Sequence, residues 1–434
     1  MSEAPLVQQS VHDRSYFAEV RLEGIRAFGP VAKLSMRNSH GETDRWTVIV
    51  GENATGKSTL LETVYCLRPV QDDWGGDDNE GYSPALFVLG FTRDHPFVGS
   101  QVVDIGATVE TTTAQGPHAQ SFSTTVSDDG GQTDGIDIPF SVFAYTASRR
   151  IIGARLSSAE NEAQISFLRV DPQDVPSPVE GLLKADYSAR LGGTGKLSFG
   201  KLSRVVCDLL PEIDSVEAGV SAEDNNPTIL FKRGEMKTLA DQSGYGYLST
   251  LAWVLDFAFK LADAFPHLED PLQAPAICLV DEIDLHLHPQ WQRTIVKTLL
   301  DTFPNVQFIV TAHSPIMVQA SAGHNIVLLR RNKETGFVDI VNDVDEIANW
   351  RLDQILTSEL FGFDSARPAE QTKLMQERIG ILSEAEPSEE QRRRLGEIEA
   401  ELENLPRGST AEKVEMNRIL DAALDRLKNP ANWL

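Results

Sequence analysis

Apolar and polar positions alternate at short, strand-like periods through the first third of the chain and later give way to longer apolar runs. Residues 17–22, 31–36 and 46–50 carry the alternating or compact apolar pattern of β-strands. A helix is predicted from Lys57 to about Leu67, with further strands over 85–91, 101–110, 120–126 and 140–145. Residues 72–81 (DDWGGDDNEG) read as a glycine-rich acidic loop. Residues 151–200, with Pro172, Pro176, Pro178 and several glycines, give no assignable pattern. A helix over 201–210 follows, then a hairpin over 215–234 turning at Asp224-Asn225-Asn226-Pro227. The helix expected over 248–265 is apolar on nearly every side, so it should be buried. Residues 276–280 form a continuous apolar run ended by acids, the mark of a parallel strand covered on both faces. A helix over 290–300, a second buried strand over 306–311 and a helix from Pro315 continue an alternation that indicates an α/β sheet. Beyond about 347 the chain turns helical and charged, with helices expected over 389–405 and 410–427. Neither an internal repeat nor an extended heptad run is present.

Length and composition narrow the picture. A chain of 434 residues with 41% hydrophobic content predicts one large unit with a smaller appendage. The most apolar stretch, 248–264, is interrupted by Asp256, Lys260 and Asp263, so no transmembrane helix is expected. The N-terminus has no signal-peptide core. Cys66, Cys207 and Cys278 lie far apart without a C-x-x-C pair, which fits a reducing cytoplasm and gives no zinc site. Sequence-independent DNA binding depends on Lys and Arg neutralising phosphates, and the net charge here is −25. Nucleic-acid binding by the chain alone should therefore be weak. Three basic clusters (Arg149, Arg150 and Arg155; Arg330, Arg331 and Lys333; Arg392 to Arg394) leave local contact open.

Candidate chemistry begins at Gly51-Glu52-Asn53-Ala54-Thr55-Gly56-Lys57-Ser58, which satisfies G-x-x-x-x-G-K-[ST] between a predicted strand and a predicted helix. In such a loop, backbone N–H groups through Thr59 cradle phosphates and the lysine reaches the β and γ phosphates. The serine hydroxyl ligates magnesium. The second feature is Asp281-Glu282, two carboxylates at the C-terminal end of a buried strand, where ligands of open α/β sheets sit. Asp281 suits the Mg2+ shell, and Glu282 suits a base that polarises the attacking water. A second buried strand ends in Thr311-Ala312-His313-Ser314, where His313 can sense the γ-phosphate or position that water. His286 and His288, two apart, do not share a helical face, and no third metal ligand is nearby.

The order P-loop, Ser243-Gly244-Tyr245-Gly246, Asp281-Glu282, then a histidine after the second strand resembles ABC-type ATPases of the SMC/RecF/OLD branch. Residues 281–314 look closest to the short prokaryotic ATPases of anti-phage systems, the Septu- and retron-associated kind. Tyr145 to Arg150 is similar to a Tyr-Gly-x-x-Arg element of these proteins, with Thr146 in place of its glycine. The resemblance implies ATP and Mg2+ as ligands and a head-to-tail homodimer. In that dimer Ser243, Gly244 and Gly246 complete the partner's site as a signature motif. A serine and glycine amides at a helix start make an anion site. Two registers remain open, one through Ser243 and one that places Gly244 at the serine position. Ala54 stands where the family P-loop commonly has glycine, and Gln101 is a candidate for the Gln-loop residue.

About 190 residues separate Lys57 from Ser243, too few for the coiled-coil insertion of SMC proteins. The expected fold is thus an α/β ABC-type head with a mixed β-sheet lobe, a helical lobe and no long coiled coil. The ATPase domain is expected over 15–345 with its helical and signature lobe at about 150–265, followed by a helical C-terminal region over 346–434. Asp343-Val344-Asp345 reads as helix capping rather than as a nuclease centre. The leading functional reading is a cytoplasmic ATPase that regulates a separate effector, a nuclease, in anti-phage defence. A RecF-like DNA-repair ATPase is weighed against by the net acidity, and a non-hydrolysing ATP-gated scaffold by the intact Glu282.

Overall fold

The computed structural model describes residues 14–403 apart from 26, 30, 72–81, 85–102, 114–115, 128–129, 134–139, 153–171, 193–194, 223–224, 343–349, 351, 357–368 and 385–387. The expectations for 72–81, 85–91, Gln101, Arg155, Asp343 to Asp345 and 410–427 lie outside the described residues. The chain divides into two compact units, Met1–Gly362 and Phe363–Leu434.

The first unit is built on two large sheets, with β4 (Pro69–Gln71) and β5 (Tyr82–Pro84) forming a separate antiparallel pair. β1 (Arg14–Glu23), β2 (Val31–Ser35), β6 (Val103–Thr113), β7 (Gly116–Ser127) and β8 (Gly130–Thr133) form an antiparallel sheet in the order β2-β1-β6-β7-β8. β3 (Trp46–Gly51), β9 (Val142–Tyr145), β15 (Ala276–Val280), β16 (Val306–Ala312), β17 (Asn325–Arg331) and β18 (Val338–Val341) form the second sheet. Its order is β18-β17-β3-β16-β15-β9, parallel throughout except for the antiparallel β18.

Strand periodicity explains why this second sheet sits at the centre. In β15, Ala276, Cys278 and Val280 join one apolar cluster while Ile277 and Leu279 join another on the opposite face. A strand covered on both faces needs a continuous apolar run, which is what 276–280 supplies. On one face lies α1 (Lys57–Cys66), through Leu60, Leu61 and Val64, together with the antiparallel sheet. Gln307 locks the two sheets together. Phe17 lies beyond the last β2 partner of β1, so its backbone needs another partner. The buried Gln307 amide accepts from Phe17 N at 2.9 Å and donates to Phe17 O at 2.8 Å.

The other face is covered by elements from 173–302. α2 (Pro178–Arg190), α3 (Phe199–Leu209) and the three-stranded meander of β12 (Ser215–Val220), β13 (Pro227–Arg233) and β14 (Met236–Leu239) surround α4 (Tyr245–Ala264). The all-round apolar α4 is buried, as expected, and Leu251, Val254, Phe257 and Leu261 are fully enclosed. Each such side chain contributes roughly 1.5–3 kcal/mol on burial. A buried polar cluster ties it to the sheet. The Tyr145 hydroxyl donates to Asp256 Oδ2 at 2.8 Å, and Lys260 pairs with the same carboxylate at 3.3 Å. β10 (Arg149–Ile152) pairs in parallel with β11 (Gln173–Pro176) beside α4.

The helix expected over 290–300 is two helices, α5 (Pro289–Gln292) and α6 (Ile295–Thr302). The Thr294 hydroxyl bonds the Trp291 carbonyl at 3.2 Å and competes with helix continuation there. α7 (Pro315–Ala320) and α8 (Leu352–Leu356) complete this unit. In the second unit, α9 (Ala369–Ser383) and α10 (Glu389–Glu403) form a short helical hairpin. Arg394 holds Glu377 by two bonds of 2.9 and 3.0 Å across it. No helix among the described residues is long and apolar enough to cross a membrane.

Candidate nucleotide site

β3 delivers the chain to Gly51 at the C-terminal edge of the parallel sheet, and Glu52 to Gly56 turn it into α1. Gly56, the N-cap, has φ +86°, a left-handed conformation that glycine adopts without cost. Gly56 has no side chain to cap this helix, and uncapped N–H groups at a helix start suit an anion. Ala54 also lies in the left-handed region, at φ +61°, which costs an alanine about 1–2 kcal/mol. The Arg331 guanidinium donates to the Ala54 carbonyl at 3.1 Å and holds that turn from β17.

Lys57 is 7% exposed and folds back to donate to the carbonyls of Gly51 and Glu52, each at 2.8 Å. Burial pulls its pKa down, and the nearby charges of Asp281, Glu282 and Asp284 oppose the shift. The next residue makes the contact that joins the two halves of the site. Ser58 Oγ donates to Asp281 Oδ2 at 2.8 Å. The other oxygen, Oδ1, accepts from the Thr311 hydroxyl at 2.5 Å, and Thr311 Oγ1 accepts in turn from Glu282 N at 2.8 Å. A hydroxyl and a carboxylate at this separation are hard oxygen donors of the kind that magnesium takes, so the residues fit the ion.

Glu282 follows in the left-handed region, at φ +46°. Such a conformation in a non-glycine residue costs about 1–3 kcal/mol and lasts only where neighbours enforce it. His313 Nε2 stands 3.8 Å from Glu282 Oε1, and both side chains are 35% exposed, so water reaches the pair. The His313 backbone N–H donates to Asp284 Oδ2 at 3.0 Å, which fixes the histidine relative to the acid loop. Among the described residues, then, Gly51 to Thr59, Asp281, Glu282 and His313 gather at one edge of one sheet. The arrangement can hold a polyphosphate against buried positive charge and place a carboxylate and an imidazole near a water.

Ser243, Gly244 and Gly246 lie at the start of α4. Gly244 is the N-cap of α4, with no side-chain cap bond, and the Ser243 hydroxyl bonds Leu239 O at 3.4 Å. None of the hydrogen bonds found for Ser243 to Gly246 among the described residues runs to Gly51–Thr59. Their link to the acid loop is steric. A Cβ on Gly246 would stand 2.4 Å from the His286 carbonyl oxygen, so only glycine fits. His286, at φ +65°, also meets the Tyr245 ring edge-on at 5.1 Å. His288 caps α5, its Nδ1 accepting from Gln290 N at 3.3 Å.

Three participants have no role at this site assigned from the sequence, where Arg149 stands only in a basic cluster and in the Tyr-Gly-x-x-Arg resemblance. Thr311 and Asp284 sit within legible motifs, but their function is to orient neighbours, and no spacing rule shows that. Arg149 reaches the acid loop from β10. Its guanidinium donates to Asp281 O at 3.3 Å and to Glu282 O at 3.5 Å.

Comparison with known proteins places these residues in a family context. The model of a family described as "AAA domain, putative AbiEii toxin, Type IV TA system" matches residues 259–318, a stretch that contains Asp281, Glu282 and His313. "Retron Vc95 probable ATPase" of Vibrio cholerae serotype O1 biovar El Tor is 39% identical over 118 residues, 27% of this chain and 22% of that protein. "Retron Ec83 probable ATPase" of Escherichia coli is 37% identical over 158 residues, 36% of this chain and 28% of its own length. Septu protein PtuA of Bacillus mycoides (strain KBAB4) is 27% identical over 177 residues, 41% of this chain and 24% of its own length. The chain thus spans about a quarter of the length of the curated relatives it matches. Among solved structures, the SMC head domain from Thermotoga maritima aligns with 75% of this chain and 98% of its own, at TM-score 0.41 and 14% identity. In sequence, the chain is similar to the retron ATPases and Septu PtuA, and its motif order resembles the ABC-type ATPases of the SMC/RecF/OLD branch.

Proposed function

We propose that the chain binds and hydrolyses ATP where Gly51–Thr59 meets Asp281, Glu282 and His313. A second copy of the chain completes the site, and the protein regulates a separate effector in anti-phage defence. The observation that carries the reading is the 2.8 Å contact between Ser58 and Asp281, with Glu282 and His313 beside it. The free N–H groups at the start of α1 would wrap the phosphates, and Lys57 would exchange the Gly51 and Glu52 carbonyls for phosphate oxygens. Ser58 and Asp281 would hold magnesium, which would supply positive charge to offset that of the phosphates. Glu282 would take the proton of the water that attacks the γ-phosphorus, while His313 holds that water or the γ-phosphate from the other side.

Dimerisation is supported by the start of α4. Gly244 leaves the first N–H groups of a 20-residue helix without a side-chain cap, and none of the bonds at Ser243 to Gly246 turns toward the chain's own phosphate loop. They suit a γ-phosphate brought by another subunit. The likeness to retron ATPases and Septu PtuA supports a defence role, in which the effector proposed for this chain is a separate nuclease. A net charge of −25 weighs against DNA loading by this chain alone.

The test is turnover by the purified protein and by Glu282→Gln. The variant should bind ATP, lose about a hundredfold or more in rate, and accumulate as an ATP-bound dimer. Wild-type turnover in Glu282→Gln would overturn the role given to Glu282. The defence role is tested by phage plating on cells carrying the chain with its neighbouring genes, where Lys57→Ala should abolish protection.

A further inference from the structure

The backbone at Glu282 poses a physical problem that the phosphate loop does not solve. Its left-handed φ of +46° turns the chain sharply at the end of β15. The carbonyls of Asp281 and Glu282 therefore leave the strand ladder; Glu282 O takes a turn bond from Leu285 N at 3.0 Å, and Asp281 O needs a donor from elsewhere. The group that reaches both is Arg149, whose NH1 lies 3.3 Å from Asp281 O and whose NH2 lies 3.5 Å from Glu282 O.

Its placement follows from topology. β9 pairs with β15 up to Tyr145↔Val280, and Asp281 N donates to Tyr145 O at 2.8 Å. The chain then crosses the end of β15, and Arg149 opens β10 just beyond it. On the far side, the Tyr245 hydroxyl donates to the Arg149 carbonyl at 3.2 Å. Tyr245 is the first residue of α4, and its ring meets His286, four residues past Glu282. Arg149 thus stands between the acid turn and the start of α4, bonded to both.

We infer that Arg149 is a positioning residue, which sets the Glu282 carboxylate by clamping the carbonyls of 281 and 282 and, through Tyr245, couples that setting to the N-terminus of α4. Its planar fork offers parallel N–H donors to two neighbouring carbonyls, which an ammonium group cannot do in the same geometry. Burial lowers its pKa to about 10, opposed by the Asp281 and Glu282 charges, so the fork stays protonated at neutral pH. None of the hydrogen bonds found for it among the described residues runs to the phosphate loop, so nucleotide binding should not need it. Turnover should, because a displacement on the order of 1 Å at a reacting group costs about a hundredfold.

The inference rests on the ATPase reading, and the experiment separates the two. Arg149→Ala, Arg149→Lys and Tyr245→Phe are compared with the wild-type chain for ATP affinity by calorimetry and for turnover. Arg149→Ala should bind ATP within about threefold of wild type and turn it over about ten- to a hundredfold more slowly. Millimolar guanidinium should restore part of that rate. Arg149→Lys, which keeps stem and charge, should remain slow with normal affinity, and it serves alone should the alanine variant not fold. Tyr245→Phe should slow turnover a few-fold at unchanged affinity. Full turnover in the Arg149 variants, or affinity and turnover falling in proportion, would overturn the inference. A wild-type chain that binds ATP without hydrolysing it would instead sink the ATPase reading. Amide exchange over 281–286 then decides for Arg149: faster in Arg149→Ala and slowed again by guanidinium supports the clamp, and no change refutes it.

Discussion

Ser58 Oγ and Asp281 Oδ2 stand 2.8 Å apart although 223 residues of chain separate them. Parallel pairing of β3 and β15 on either side of β16 places the start of α1 against the end of β15. Thr311, from β16 between them, completes the arrangement by holding the other carboxylate oxygen and the Glu282 N–H.

Thr311→Val should therefore damage the site while leaving its shape. The isosteric side chain removes one donor and one acceptor from fully buried positions, at about 1–3 kcal/mol for groups left unpaired. Denaturant unfolding should show that loss, and turnover should fall with it. Unchanged stability would mean that water replaces the hydroxyl and that Thr311 does not orient Asp281.

Ala54→Gly should stabilise the protein by up to about 1 kcal/mol, because glycine accepts the left-handed φ of +61° that alanine tolerates at a cost. Thermal unfolding measures it. A lower melting temperature would show that the Arg331 bond to the Ala54 carbonyl depends on the alanine Cβ.

How far the sequence carries can be read from particular elements. β15 and β16 are legible because a strand buried on both faces requires an unbroken apolar run. The hairpin of β12 and β13 is legible from Asn-Pro chemistry, and Asn225 indeed sits at φ +59°. α4 begins at Tyr245 rather than 248, because Gly244 caps it and its first turn is not apolar. α2 is hidden in a stretch of prolines and glycines, although Ser177-Pro178 is the cap-and-proline start of a helix. Of the site, the residues that would touch phosphate or metal stand in a recognisable order. Those that orient them, Thr311, Asp284 and Arg149, act through contacts between elements far apart in sequence.

Acid stability should depend on Glu212. Burial pushes its pKa up, but bonds from Tyr247, its own backbone and Trp291, with the Arg233 charge, outweigh that and leave it below the ordinary 4.5. A depressed carboxylate stabilises the fold above its unfolded pKa and loses that contribution as pH falls through the lowered folded value. Wild-type melting temperature should thus drop on acidification below about 4.5, and Glu212→Gln should flatten that limb. Parallel pH profiles for the two proteins would remove Glu212 from the acid transition.

Whether the ATP site is shared between two copies can be read by mixing two inactive variants. A Cβ at Gly244 would meet nothing closer than Tyr247 Cδ2 at 3.9 Å, so Gly244→Arg should fold and bind ATP but block a partner. Lys57→Ala should not bind ATP at its own phosphate loop, yet it keeps an intact α4 start. Each alone should be inactive. Combined in equal amounts, they should recover up to about a quarter of the wild-type rate, half of the dimers being mixed and each of those holding one complete site. Full turnover by Gly244→Arg alone, as a monomer in light scattering, would contradict a site built from two chains.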